Sequence, residues 1–234
     1  MSIAENIRSI RKRIDEAARR AGRNPADITL MAVSKTFPPE SIREAYAAGI
    51  RVFGENRVQE CAGKADALHG LAGTEWHLIG HLQSNKTAKA AELFGAVDSV
   101  DSVKLADRLN PAAEAAGKKL PVLIEINVGG EDAKSGVAPG SDELERILIG
   151  APRWKHLAIR GLMTVPPYTD DPEGPRPFFR QLREIRDGIA ARALPGVSMN
   201  VLSMGMSHDF EVAVEEGSTC VRVGTAIFGE RQKR

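Results

Sequence analysis

The sequence predicts an α/β protein folded as a single (β/α)8 barrel (TIM barrel), with one extra helix in front of it. Short apolar runs alternate with amphipathic helical patterns, and the alternation repeats roughly eight times within 234 residues. No linker, low-complexity tract or internal duplication divides the chain, so residues 1–234 are expected to form one domain. Such alternation implies a parallel sheet with right-handed crossovers, and an eightfold repeat in a chain of this length favours a closed barrel.

The first predicted element is the extra helix. Isoleucines at positions 3, 7, 10 and 14 recur at helical spacing, and Gly22 ends the pattern. Charged residues occur throughout this segment, so it lacks the apolar core of a secretory signal. We therefore expect an amphipathic helix here.

The first half of the barrel is predicted from four apolar runs, each followed by a helical pattern. The helix after the first run begins with prolines and ends at Gly49, an arrangement typical of helices. Ser84 is a candidate N-cap, and Pro111 is expected to kink the fourth of these helices. The predicted strands are residues 28–34, 52–56, 75–80 and 96–100, and the predicted helices are residues 38–49, 57–68, 84–94 and 103–117.

The second half of the barrel continues the alternation and contains one long loop. This loop, residues 166–175, is rich in turn-forming residues and either covers a site or is an ordinary connection. The predicted strands are residues 120–128, 157–165, 198–204 and 220–229, and the predicted helices are residues 141–152, 176–192 and 207–217.

Composition excludes several classes of function. The 32 lysines and arginines balance 31 aspartates and glutamates, which leaves no bulk charge for a nucleic acid or a membrane surface. No apolar window reaches the length of a membrane span. Cys61 and Cys220 are expected to be reduced core residues. We expect a cytoplasmic protein that binds neither nucleic acid nor membrane.

In a (β/α)8 barrel, the carboxyl ends of the strands and the loops after them form the face that carries the active site. Polar residues lie at nearly all of these predicted strand ends. Their convergence follows from the architecture and does not by itself identify a function. They are Lys35, Glu55, Asn56, His77, His81, Ser99, Asp101, Asn127, Thr164, Ser203 and Arg222, and Met163 lies beside Thr164 in the same set.

The last two predicted strands indicate a phosphate site. Residues 202–210 run from a strand through a glycine turn into a helix that is predicted to begin near Ser207, where free N–H groups and the helix dipole favour an anion. Gly224 and Thr225 follow the last strand, and many barrels hold phosphate in these two loops. The alternative interpretation is ordinary turn chemistry, since a glycine after a strand is common.

Lys35 ends the apolar run of the first predicted strand. It is either a surface lysine with a buried stem or an amine placed at an apolar mouth, where loss of hydration favours the neutral nucleophile. An amine and a phosphate site on one rim suit a phosphorylated carbonyl compound. Both pyridoxal 5′-phosphate and a sugar-phosphate ketone fit this description, and the residues alone do not choose between them.

A metal site is not expected. His77 and His81 lie four residues apart, but they fall on a strand and a turn, where this spacing does not place both side chains on one face. His69, His156 and His208 are predicted to be surface or turn residues. Lys86 and Lys134 lie in loops near the rim, where each either faces the site or is simply solvated.

Seven motifs in order resemble the pyridoxal-phosphate homeostasis protein family, which is itself similar to the N-terminal barrel domain of alanine racemase. The resemblance covers residues 28–229, and the order and spacing of the motifs make it specific. His81 departs from it, because many members carry proline there. The motifs are AVSKT, FGENRVQE, WHLIGHLQSNK, LIEINVGGEDAKSG, RGLMTVPP, LSMGMSHDFEVAVEEGST and VRVGTAIFG.

The resemblance implies which residues bind the cofactor. Lys35 is expected to carry pyridoxal 5′-phosphate (PLP) as an internal aldimine. Ser207, Gly224 and Thr225 are expected to hold the phosphate, with Ser203 close by.

Three further residues are implied to lie near the cofactor. Asn56 belongs to the FGEN motif, and Met204 belongs to the motif that contains Ser203. Arg222 occupies the position that faces the pyridine nitrogen in alanine racemase-like barrels, where a guanidinium, which only donates, keeps the nitrogen unprotonated. The alternative role for Arg222 is to neutralise the phosphate.

The sequence favours a cofactor carrier over an enzyme. Alanine racemase takes its second base, a tyrosine, from a partner subunit. Here Tyr46 is predicted on an outer helix and Tyr168 in the long loop, so racemisation has no evident second base. We expect a monomer that holds PLP reversibly and passes it to apo-enzymes. The alternatives are an amino-acid racemase in which Tyr168 closes over the site, and a lysine-dependent aldolase acting on sugar phosphates.

Overall fold

Eight parallel strands pair in chain order, and the last pairs with the first, so the predicted (β/α)8 barrel is confirmed. The structure is a computed structural model that describes residues 2–68, 70–131 and 135–230. The strands are β1 (Thr29–Val33), β2 (Val52–Glu55), β3 (Glu75–Leu78), β4 (Ala96–Val100), β5 (Leu120–Glu125), β6 (Leu157–Met163), β7 (Val197–Ser203) and β8 (Cys220–Val223).

Helices surround the barrel, and the extra N-terminal helix is present as predicted. The helices are α1 (Ile3–Arg20), α2 (Pro39–Ala47), α3 (Val58–Ala65), α4 (Thr87–Leu93), α5 (Val103–Ala115), α6 (Asp142–Gly150), α7 (Arg176–Ala191), α8 (Phe210–Glu215) and α9 (Thr225–Phe228). Several of the connections also contain a short 3₁₀ turn.

The helix α1 closes the side of the barrel where the chain begins and ends. Its isoleucine stripe is buried, with Ile7, Ile10 and Ile14 each at most 4% exposed, and it packs against α2, α8 and α9. Ser2 and Glu5 form a reciprocal capping box at its start, which satisfies two otherwise unpaired N–H groups. The isoleucine stripe predicted from spacing is therefore the face through which α1 packs against helices next to the first and the last strand of the barrel.

The two faces of the sheet differ in chemistry. Outward-facing residues such as Val97, Ile124 and Leu202 pack under the helices in the larger of two apolar clusters. Residues at alternate positions point into the barrel, where His77 meets Asp98 and Arg222 meets Ser203. The barrel interior thus carries buried ionisable groups as well as apolar side chains.

Two predicted element boundaries near the last strands are wrong. Strand β8 ends at Val223, and residues 225–228 form the short helix α9, because the backbone of Gly224 leaves the extended conformation. Helix α8 begins at Phe210 rather than near Ser207. The buried carboxylate of Asp209 accepts a hydrogen bond from the N–H of Met206 at 2.6 Å and holds a separate turn before the helix.

No helix within the described residues combines the length and the apolar character that a membrane span requires.

Candidate functional site

A cavity of about 220 Å³ opens at the carboxyl ends of the strands. Its lining includes five of the eight residues predicted to bind a cofactor, and these lie just after β1, in the turn after β7, in β8 and at the start of α9. They are Lys35, Ser207, Arg222, Gly224 and Thr225. The volume lies just below the roughly 300–1,000 Å³ of sites for drug-sized ligands, so the cavity suits a small ligand.

Lys35 stands at the mouth of this cavity, two residues after the end of β1. It is half-buried, and apolar side chains of Val33, Phe37 and Ile79 line the same cavity. Phe37 is itself held by stacking on Phe228, with ring centroids 4.8 Å apart. Lys35 therefore lies in the lining of a partly apolar pocket, which is the second of the two positions that the sequence left open for it.

Another part of the lining is built from backbone N–H groups and hydroxyls. The N–H groups of Gly224 and Ala226, at the start of α9, each donate to the hydroxyl oxygen of Ser207 at 3.2 Å. Thr225 lies between them and is exposed to solvent. The residues predicted to hold a phosphate therefore converge at the start of α9 and not at the start of α8.

Arg222 is buried in the barrel and reaches the cavity from below. It is 3% exposed, and its guanidinium donates to the Ser203 hydroxyl at 2.8 Å and to the Thr164 carbonyl at 2.7 Å. Burial lowers the pKa of Arg222, and the charges of nearby carboxylates, including Asp98, oppose this effect. Since an arginine keeps its proton even when buried, the guanidinium is a fixed donor at the cavity floor.

Carboxyl groups close to Arg222 complete the electrostatics of the barrel interior. Burial raises the pKa of Glu125, at the end of β5, to about 7; the charge of Asp101 raises it further, and Arg222 lowers it. Burial also raises the pKa of Asp209, whose carboxylate accepts the Met206 N–H. The site thus combines one amine and one guanidinium with two carboxyl groups, Glu125 and Asp209, whose pKa values are raised by burial.

Comparison with known proteins identifies the family. The profile of the alanine racemase N-terminal domain matches residues 3–232. A pyridoxal phosphate homeostasis protein of Aquifex aeolicus is 45% identical over 232 residues, which cover 99% of this chain and 100% of that protein. The homeostasis protein of Pseudomonas aeruginosa is 45% identical over 230 residues, covering 98% of this chain and 96% of that protein.

This chain belongs to the pyridoxal phosphate homeostasis protein family.

Solved structures agree with this assignment. PipY of Synechococcus elongatus, in a structure with PLP bound, is 38% identical with a TM-score of 0.84, covering 97% of this chain and 100% of that one. An alanine racemase of Streptomyces coelicolor, 22% identical with a TM-score of 0.72, covers 97% of this chain and 58% of that one. At this lower identity, the racemase shows only that the fold is shared.

The family resemblance implies that eight residues bind the cofactor. Three of these eight lie outside the lining of the cavity. Ser203 points into the barrel beneath it and contacts Arg222. Met204 is fully buried in the larger apolar cluster, on the helix-facing side of the sheet. Asn56 follows β2 and is half-buried; its backbone packs so closely on Gly80 that a Cβ there would lie 2.4 Å from the Asn56 carbonyl oxygen.

The long loop after β6 contributes to the cavity lining; from the sequence, Tyr168 was placed over the site only in the racemase alternative, and Pro167 and Thr169 were not assigned to it. Pro167, Tyr168 and Thr169 line it, and the Tyr168 ring lies 6.0 Å from the ring of His208. A ring nitrogen of His208 lies 2.9 Å from the Asp170 carbonyl, so the loop is tied to the turn after β7. The turn-rich composition of the loop was the only sequence signal for this role.

The remaining candidate residues lie away from the cavity lining. His77 contacts Asp98 inside the barrel, and the exposed His81 lies near Asp101. Within the described residues, no cluster of three or more histidine, cysteine or acidic side chains could hold a metal ion. Lys86 ends a 3₁₀ turn and is half-buried, whereas Lys134 lies outside the described residues.

The two cysteines and Tyr46 lie outside the cavity lining and contribute to packing and hydrogen bonding elsewhere in the barrel. Cys61 and Cys220 are free and buried, as predicted, and burial raises the pKa of each thiol to about 12. Tyr46 donates to the carbonyl of Ala72, at the opposite end of the barrel from the cavity.

Proposed function

We propose that this protein binds PLP reversibly in the cavity, with Lys35 as the covalent attachment point, and that it buffers and supplies the cofactor. The observation that carries the proposal is that one small cavity contains both the Lys35 amine and the N–H and hydroxyl groups around Ser207 and α9. Supporting it, PipY, which is 38% identical and is covered over its whole length, has a structure with PLP bound.

The chemistry of the donors fits this cofactor. Backbone N–H groups at a helix start and adjacent hydroxyls suit a phosphate dianion, and we assign this role to Gly224, Thr225 and Ser207. A bound PLP supplies an aldehyde that reacts with amines and a ring that withdraws electrons. Arg222 can only donate, so a pyridine nitrogen paired with it would stay unprotonated, which weakens the ring as an electron sink.

We infer that the protein is a carrier and not an efficient enzyme. Abstraction and return of a proton on opposite faces of a substrate need two bases. Besides Lys35, the lining includes the titratable residues Tyr168, His208 and Asp209; a ring nitrogen of His208 lies 2.9 Å from the Asp170 carbonyl, and the Asp209 carboxylate accepts the Met206 N–H. Tyr168 does line the cavity, but its side chain is 76% exposed. Its position keeps an amino-acid racemase as the second candidate, and sustained turnover of L- or D-amino acids by the purified protein would establish it.

The experiment that tests PLP binding is covalent trapping. We expect the purified protein to absorb near the visible edge, and borohydride reduction followed by peptide mapping to place the adduct on Lys35. Lys35→Ala should lose the adduct and remain folded, whereas the matched variant Lys86→Ala should retain it. An adduct on a different lysine, or none in the wild type, contradicts the proposal.

The supply function requires a separate measurement. We expect the loaded protein, as a monomer, to reactivate an apo-enzyme that depends on PLP. A monomer is consistent with a single-domain barrel, and size-exclusion chromatography with light scattering measures the mass. If activation is no faster than with the same concentration of free PLP, the carrier role reduces to buffering.

A further inference from the structure

The backbone on both sides of Lys35 is held by a buried ionic network that the cofactor site does not include. Ser34 is fully buried; its N–H donates to the Gly54 carbonyl at 3.0 Å, and its hydroxyl donates to Glu55 Oε1 at 2.7 Å. Its carbonyl accepts the N–H of Phe37 at 3.1 Å, which closes a tight turn around Lys35. The backbone of Ser34, which directly precedes Lys35, is therefore held by hydrogen bonds at both its N–H and its carbonyl.

Lys64 of α3 is the centre of this network. Its Nζ lies 2.9 Å from each of three oxygens: the Ser34 carbonyl, Glu55 Oε1 and Glu60 Oε1. Three acceptors use all three protons of an ammonium group. Lys64 is only 9% exposed, which is unusual for a lysine unless it is paired.

The residue after Lys35 is held by the same network. The N–H of Thr36 donates to Glu60 Oε1, the oxygen that also accepts from Lys64. Thr36 has a φ of 69°, a left-handed conformation that is unfavourable for a β-branched residue. Such a turn persists only when its surroundings impose it, and the bond to Glu60 is one such constraint.

The charges and bonds of the network exceed what is needed to attach α3 to β2. Burial raises the pKa of Glu55, while Ser34 and Lys64 oppose that rise, and Glu55 Oε2 is buried without a hydrogen-bond partner. For Glu60, the bonds from Thr36 and Lys64 outweigh burial and lower the pKa. An ion pair that only attached α3 to β2 would need Lys64 and Glu55. The additional bonds to the peptides on either side of Lys35 are unnecessary for that purpose.

We propose that Lys64 and Glu60 are positioning residues that fix the backbone on both sides of Lys35 and so direct its amine into the cavity. The proposal rests on the proposed function only for the identity of the ligand that the amine meets. Without these bonds, the turn at Thr36 relaxes and the Lys35 side chain samples solvent.

Three variants and one matched control test the proposal. Glu60→Ala removes the acceptor of the Thr36 N–H at a partly exposed position, and Glu60→Gln restores an oxygen acceptor without the charge. The double variant Lys64→Met with Glu55→Gln removes both buried charges together, so neither is left unpaired. Lys118→Met is the control, because Lys118 donates to the Phe94 carbonyl at 2.9 Å at the opposite end of the barrel.

Two measurements on the protein without cofactor decide the outcome. Hydrogen exchange of peptides covering residues 34–37 should accelerate at least tenfold in Glu60→Ala and in the double variant. Reductive methylation of Lys35, relative to the exposed Lys12 in the same molecule, should accelerate at least threefold. Glu60→Gln should recover most of the protection, and Lys118→Met should change neither quantity at Lys35.

Retention of PLP gives the third readout and separates the two proposals. We expect PLP to dissociate at least tenfold faster from Glu60→Ala and from the double variant than from Lys118→Met. Unchanged exchange and methylation at residues 34–37, or loosening spread over the whole barrel, overturns the positioning role. If the wild type traps no adduct but the variants still expose Lys35, the proposed function fails and the positioning role stands.

Discussion

The guanidinium of Arg222 donates to the hydroxyl of Ser203 at 2.8 Å, across the junction of β8 and β7. This junction has the shortest backbone pairing among the described strands of the barrel, because only Ser203 and Cys220 pair across it. The second nitrogen of the guanidinium reaches the Thr164 carbonyl after β6. One side chain therefore links the ends of three strands directly below the cavity.

Arg222→Met should weaken both the fold and the site. The change leaves the acceptors at Ser203 and Thr164 unpaired and removes the positive charge near Glu125. We expect a loss of about 2–4 kcal/mol in the free energy of unfolding and at least a tenfold rise in the Kd for PLP. Urea denaturation and fluorescence titration measure the two quantities.

Ser203→Ala is the control for this change. It removes only the hydroxyl that accepts from the charged guanidinium and should cost about 1.5–3 kcal/mol of stability, with a smaller effect on PLP affinity than Arg222→Met. If folded Arg222→Met binds PLP as tightly as the wild type, Arg222 has no role in retention.

Thr225→Val should loosen the cofactor without changing the fold. Valine keeps the shape of threonine but lacks the hydroxyl, and Thr225 is an exposed residue at the cavity. Loss of one hydrogen bond to a charged phosphate corresponds to about 1.5–3 kcal/mol, or a roughly 10- to 100-fold increase in Kd. Equilibrium dialysis against PLP measures the change.

Thr74→Val provides the comparison, because its hydroxyl donates to the Leu71 carbonyl at the opposite end of the barrel. It should leave the Kd for PLP unchanged. Equal Kd values for both variants and the wild type would contradict the assignment of Thr225 to the phosphate site.

The stability of the barrel should fall between neutral and alkaline pH because of His77. Burial lowers the pKa of His77, but the charge of Asp98 and the hydrogen bonds that His77 donates to Asp98 and Glu75 raise it overall, to about 10. Since the folded pKa lies above the unfolded value of about 6.5, this contribution is complete below pH 6.5. It declines by up to about 1.4 kcal/mol per pH unit as the pH rises towards 10.

The measurement is the free energy of unfolding from pH 6 to pH 10 in the wild type and in His77→Gln. The variant should show a shallower decline over this range. An NMR titration that places the His77 midpoint near 6.5 would contradict the prediction directly.

Gly161→Ala should prevent stable folding. A Cβ at this position in β6 would lie 1.8 Å from the Val201 carbonyl oxygen of β7, so the two strands would have to separate. We expect a loss of more than about 3 kcal/mol. Gly63→Ala in α3 is the matched substitution; nothing lies within 4 Å of its Cβ, and alanine there should add about 0.5–1 kcal/mol. Thermal denaturation of both variants tests the contrast.

Much of the site follows from strand periodicity and local chemistry. The apolar run that ends at Lys35 predicted an amine at the rim, because parallel strands in a barrel end on one face. The glycine turns around Ser207 and Gly224 predicted an anion cradle, and the structure brings these residues together. Their meeting point lies at α9 instead of α8, because the buried side chain of Asp209 organises a turn that local sequence patterns do not reveal.

Other parts of the site could not be predicted from local patterns. Lys64 is one polar residue on a helix, and nothing in its neighbours indicates that its ammonium is buried against Ser34, thirty residues earlier. Met204 adjoins Ser203 in one motif, yet strand alternation sends the two side chains to opposite faces of the sheet.

The sequence by itself determined the barrel, the extra helix and the family, and it predicted Lys35 as the reactive amine, because hydrophobic periodicity and ordered motifs are properties of the chain. Only the tertiary structure decided which hydroxyls and N–H groups share the cavity with Lys35 and which buried charges hold its backbone. Those relationships depend on distances between segments far apart in sequence, and packing sets these distances after the strands have closed into the barrel.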